Sequence, residues 1–139
     1  MADYVQYHNP VERGLLRRPR AGAPYTFSTA KRANIKKGDT LWLITRVLDT
    51  PEYLLGQVFT VDTFGASPDG PMKFRGWGMH GTHFTPGIRL SDQAWFPAFK
   101  QHMANFSRGL SPLASVYKEH LQTLRAAHAS STTGPTPAR

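Results

Sequence analysis

The alternation of apolar and polar residues divides the chain into a strand-rich first part and a helical last part. Tyr4-Val5-Gln6-Tyr7-His8 alternates as a strand does, and Asn9-Pro10 ends it because proline cannot donate to a ladder. Residues 11–24 scatter Gly14, Pro19, Gly22 and Pro24 among arginines and predict an irregular basic loop, followed by a brief return strand at Tyr25-Thr26-Phe27-Ser28. Residues 40–48 are dense in β-branched and aromatic side chains and form the clearest strand. Asp49-Thr50-Pro51-Glu52 then turns the chain into an antiparallel partner at residues 53–62, with a bulge or bend expected at Gly56. Residues 65–71 read as a surface loop, and residues 72–79 alternate once more.

Helical spacing takes over from there. Ser91-Asp92 is placed to cap a helix carrying Trp95, Phe99, Met103 and Phe106, with Gly109 as a terminating residue. Ser111-Pro112 opens a second helix whose apolar face is Leu113, Val116, Tyr117, His120, Leu121 and Leu124. Strands followed by helices give an α+β fold, expected as a small, strongly bent antiparallel β-sheet or partial β-barrel with helices packed at one end. Residues 1–129 form one domain in this reading. Residues 130–139, rich in Ser, Thr, Gly and Pro, form a disordered C-terminal tail.

Composition narrows the chemistry. The 139 residues suit a single domain, and 40% hydrophobic content suffices for a core. The absence of cysteine excludes disulfides, thiolate metal sites and a thiol nucleophile, and fits a reducing, cytoplasmic setting. The N-terminus lacks a secretory pattern, and no apolar run approaches the roughly 20 residues of a membrane span. A formal charge of +8 points to a polyanionic partner. Arg13, Arg17, Arg18, Arg20, Lys31, Arg32, Lys36 and Lys37 follow one another with no acidic residue among them. With Arg75, they are the expected contacts to a nucleic-acid backbone, the alternatives being a solubilising surface or an anionic membrane surface.

Ile35-Lys36-Lys37-Gly38-Asp39-Thr40-Leu41-Trp42-Leu43 and Tyr53-Leu54-Leu55-Gly56-Gln57-Val58 resemble the PUA-like superfamily, in which a basic turn ending in Gly-Asp leads into a central apolar strand. The EVE and YTH branches are closest. The resemblance spans roughly residues 30–62, while His8-Asn9-Pro10-Val11-Glu12-Arg13-Gly14 departs from the usual EVE opening. It implies a compact barrel joined to helices and an aromatic-lined pocket for a modified base in DNA or RNA. It also implies a possible effector nuclease domain or subunit as partner, as in restriction systems directed at modified DNA.

Reading a flipped base requires flat apolar walls and a few polar groups aimed at its edge. Tyr7, Tyr25, Trp42, Trp77 and Phe84 are the candidate walls, and His8, Asn9, Asp62 and His80 the candidate edge readers. Trp42 in such a strand is more often a core residue, and Trp77, between two glycines, reads as either a stacking surface or a point of sharp curvature. His80-Gly81-Thr82-His83 raises a two-imidazole metal site, but no further ligand is spaced nearby, so no metal and no cofactor is assigned. No recognised catalytic motif is present and no catalytic residue is assigned, leaving a small enzyme with an unrecognised site, or an acidic-protein binder, as the rivals to a base reader.

Overall fold

A computed structural model describes residues 2–30, 33–67, 73–106 and 109–132. Its elements in chain order are β1 (Asp3–Tyr7), α1 (Pro10–Arg13), β2 (Tyr25–Thr29), β3 (Thr40–Arg46), β4 (Tyr53–Thr60), β5 (Thr63–Ala66), β6 (Phe74–Gly78), β7 (Gly81–Arg89), α2 (Phe96–His102), β8 (Leu110–Pro112) and α3 (Ser115–Thr132). The α+β class is as expected. The sheet is not one bent antiparallel surface, however: a five-stranded sheet runs β7-β4-β3-β1-β8 and a three-stranded sheet runs β2-β6-β5, and among the described residues neither closes into a barrel. β1 pairs with β3 in parallel, Asp3 opposite Thr40 and Tyr7 opposite Ile44. The long excursion between them supplies the crossover that a parallel pair requires, and it deposits β2 in the other sheet on the way.

The two sheets are joined by one folded hairpin. β4 continues into β5 past Val61-Asp62, and β6 into β7 past Met79-His80, so both strands turn the corner together. Asp62 fixes that corner: its N–H donates to the Trp77 carbonyl (2.8 Å) and its carboxylate accepts from the Met79 N–H (2.8 Å). Gly76 and Gly78 face inward here. A Cβ at Gly76 would collide with the Phe27 ring, and one at Gly78 with the Thr60 carbonyl. The glycines beside Trp77 therefore make room for sheet-to-sheet packing on the inner face.

The five-stranded sheet buries both faces. Val5, Trp42, Ile44, Leu55 and Val58 face the helices, where Phe96, Phe99, Met103, Phe106 and Leu121 complete the larger core. Leu41, Leu43, Phe59 and Val61 face the smaller sheet and meet Phe27. The bulge expected at Gly56 is present: Ile44 lies opposite Leu55 but Leu43 opposite Gln57, so Leu55 and Val58, three apart, share one face. Asp3 ties α3 to this layer, accepting from the Trp42 indole N–H (2.9 Å) while pairing with Lys118 (2.9 Å).

Several boundaries move. α2 starts at Phe96 with Trp95 as its cap residue and no side-chain cap, because Ser91 accepts from the Tyr53 N–H and Asp92 pairs with Arg89. Ser111 and Pro112 belong to β8 against β1, and α3 begins only at Ser115. Residues 81–83 open the nine-residue β7, and Gly65 and Ala66 belong to β5. α3 extends to Thr132, across the start of the expected tail, while residues 133–139 lie outside the described residues. Ala104, Asn105 and Phe106 form a left-handed turn, with φ of 52°, 57° and 62°, a strain of about 1–2 kcal/mol per residue. Phe106 offsets it by packing among Tyr7, Tyr53, Phe96 and Phe99. Among the described residues no helix is long and apolar enough to cross a membrane.

Candidate functional site

Between the two sheets, at the free edge of β2, lies a cleft of about 430 Å³. Its position follows from the bulge in β4. Gly56 has no side chain, and Leu16 of the basic loop seats itself on the space. Next to it Gln57, only 2% exposed, donates its amide N–H to the Arg17 carbonyl (2.8 Å). His8 contacts the Gly14 carbonyl through Nε2 (2.7 Å), and Arg18 reaches the Thr85 hydroxyl (3.3 Å). The loop is thus held at its start, middle and far side. Arg17, Arg18 and Arg20 stand exposed along the rim of the cleft.

The floor combines Leu16, Phe27 and Leu43 with two buried glutamines. Gln6 is 7% exposed, and its amide nitrogen faces the carbonyls of Tyr7 and Ser28 at 3.5 Å each. Those two acceptors fix which way the amide points. The other end, Oε1, is buried without a hydrogen-bond partner. An unpaired buried acceptor costs about 1–3 kcal/mol, and this one belongs to a residue that lines the cleft.

Gln57 also lies 2.9 Å from Nδ1 of His83. Its nitrogen is the donor, as the Arg17 carbonyl requires, so Nδ1 accepts and His83 is the neutral Nε2–H tautomer. Burial, and then the Arg18 guanidinium, hold the His83 pKa below the usual imidazole value.

The expected base-pocket residues separate. His8 and Tyr7 line the cleft, although the Tyr7 ring turns to the helical side and stacks on Phe106 (5.7 Å). Trp42, 1% exposed, and Phe84 lie in the helix-facing core, on the opposite side of the sheet. Tyr25 stacks on Phe59 between the sheets (5.6 Å). Asn9 caps α1, accepting from the Val11 N–H (3.0 Å). Asp62 and His80 belong to the hairpin corner, where the His80 carbonyl accepts from Thr60. Trp77 points outward from the small sheet.

Of the expected backbone contacts, Lys36 and Lys37 are exposed at the turn before β3, away from the rim, and Arg75 shares the outer sheet face with Trp77. Lys31 and Arg32 lie outside the described residues, as does the side chain of Arg13. No cluster of three potential metal ligands occurs among the described residues, and His83 already uses Nδ1 for Gln57.

Gln6 and Gln57 were not among the expected site residues. Their signal in the sequence is a long amide set inside an otherwise apolar strand, which a central strand buries and must satisfy. Compared with protein-family models, curated proteins and solved structures, the chain finds no match.

Proposed function

We propose that the protein is a nucleic-acid reader that takes one flipped base into the cleft beside Gln6, with a modified base in DNA as the favoured ligand. The observation that carries this reading is a cleft rimmed by three exposed arginines and lined by Gln6, whose buried Oε1 has no hydrogen-bond partner. The cleft volume of about 430 Å³ falls in the ~300–1,000 Å³ range of small-ligand pockets. Arg17, Arg18 and Arg20 would hold phosphates on either side of the lifted nucleotide, supplying affinity without sequence choice. Phe27, Leu16 and Leu43 would supply apolar contact. Gln6 Oε1 accepts only, so it favours a base edge that donates, such as the exocyclic amine of a cytosine or adenine.

The bent two-sheet frame with helices on one face is compatible with an open relative of the PUA-like barrel. The reader would serve a nuclease carried on another domain or subunit.

Binding of double-stranded DNA, single-stranded DNA and RNA, each with and without modified cytosine or adenine, tests the proposal across a salt series. We expect steep salt dependence and a preference for one modified base. Replacing Arg17, Arg18 and Arg20 together by Gln should flatten the log–log salt slope by roughly 2–3, at about 0.7–0.9 per phosphate contact. An unchanged slope, or no polyanion binding by the parent protein, would refute the assignment.

A further inference from the structure

The outer face of the small sheet carries a second depression, of about 600 Å³, that abuts the cleft. Pro24 and Thr26 line both. Thr26 is the cross-strand neighbour of Trp77 on one side and Thr63 on the other, so the indole stands between two short side chains. Trp77 is 38% exposed, flanked along the outer face by exposed Arg75 and Met79. The other two tryptophans are engaged: Trp42 with Asp3, and Trp95 stacked on His120 (4.8 Å). No aromatic ring packs on Trp77 among the described residues.

An exposed indole beside an arginine is a surface on which a base can stack and whose charge suits the adjoining phosphate. Only one strand spacing, about 4.8 Å, separates the β6 backbone under Trp77 from β2 at the cleft edge. We propose that Trp77 is a stacking platform for the nucleotide next to the one in the cleft, with Arg75 at its phosphate. This inference rests on the reader assignment above and adds that the ligand is an unstacked strand of at least two nucleotides. The arginine-rich rim, Arg75 and the shared β2 edge favour a nucleic-acid strand over a protein as the occupant.

The experiment is a binding series with oligonucleotides of the preferred polymer. Each carries the recognised base at one position and an abasic nucleotide immediately 5′ or 3′ of it. For the parent protein, removing the neighbouring base on one side should weaken binding roughly five-fold or more. Trp77→Ala should lose that dependence, Trp77→Phe should keep most of it, and thermal melts establish that both variants are folded. Abasic sensitivity that persists in Trp77→Ala, or indifference of the parent protein to both neighbours, overturns the platform. A change in oligomeric state with Trp77→Ala and no change in abasic sensitivity overturns it too, and marks the groove as a self-contact. The two proposals fail differently: absence of polyanion binding removes both, whereas one recognised base with an intact salt slope and no neighbour effect removes only the role of Trp77.

Discussion

The two faces of the five-stranded sheet come from the same strands but are built to different ends. Facing the helices, Val5, Trp42 and Val58 meet rings packed at 4.9–5.8 Å, as in the Phe99–Tyr117 and Phe99–Phe106 pairs. Facing the cleft, their strand neighbours are Gln6, Leu43 and Gln57. A shift of one residue along each strand exchanges a ring-packed core for a polar hollow, since side chains alternate across a sheet. The helical face holds the larger, ring-packed core, whereas the cleft face carries a buried acceptor without a partner.

The largest expected effect tests the first half of that contrast. Phe99 is fully buried among Trp95, Phe96, Phe106 and Tyr117. Phe99→Ala should cost about 3–5 kcal/mol in urea unfolding while leaving the binding selectivity of the folded fraction unchanged. A cost under about 1 kcal/mol would mean the helices are not the stabilising layer.

A smaller effect on stability tests the second half. Gln6→Leu removes the unpartnered oxygen together with the two long amide contacts to the Tyr7 and Ser28 carbonyls, so stability should change by no more than about 1 kcal/mol. Affinity for the preferred base should fall about tenfold, the size of one lost hydrogen bond to a buried group. A variant that loses stability yet binds as before would place Gln6 with the core and not with the ligand.

How far the sequence revealed these faces differs in the same way. The β3–β4 hairpin, the Gly56 bulge and the helical core residues Phe99, Met103 and Phe106 were legible, because apolar periodicity reports burial directly. β7 was not, since Gly81, Pro86 and Gly87 give it the composition of a loop, and its place beside β4 is set by long-range pairing. The exposed arginines were legible as charge, but their arrangement around a cleft depends on Leu16 meeting Gly56 and Arg17 meeting Gln57, contacts 40 residues apart in sequence. Aromatic residues drew attention as pocket walls, yet Trp42, Tyr25 and Phe84 were drawn into packing, as large apolar side chains are unless something holds them out.

The smallest expected effect concerns the joint between loop and cleft. Gln57 donates to both the Arg17 carbonyl and Nδ1 of His83, so the bond to His83 exists only while the imidazole is neutral. Burial, and then the Arg18 guanidinium, oppose protonation and hold the His83 pKa below its usual 6.5, and a protonated ring would put an N–H against the Gln57 N–H. Between that lowered value and 6.5 the folded state holds fewer protons than the unfolded one, so stability rises with pH through this window. The contribution is complete above 6.5 and is lost as pH falls through the lowered pKa. His83→Asn keeps an acceptor near Nδ1 and removes the titration. Melting curves taken from about pH 7 down to about pH 5.5 should therefore fall more steeply for the parent protein than for the variant. Parallel curves would show that His83 titrates without feeling the Gln57–Arg17 joint.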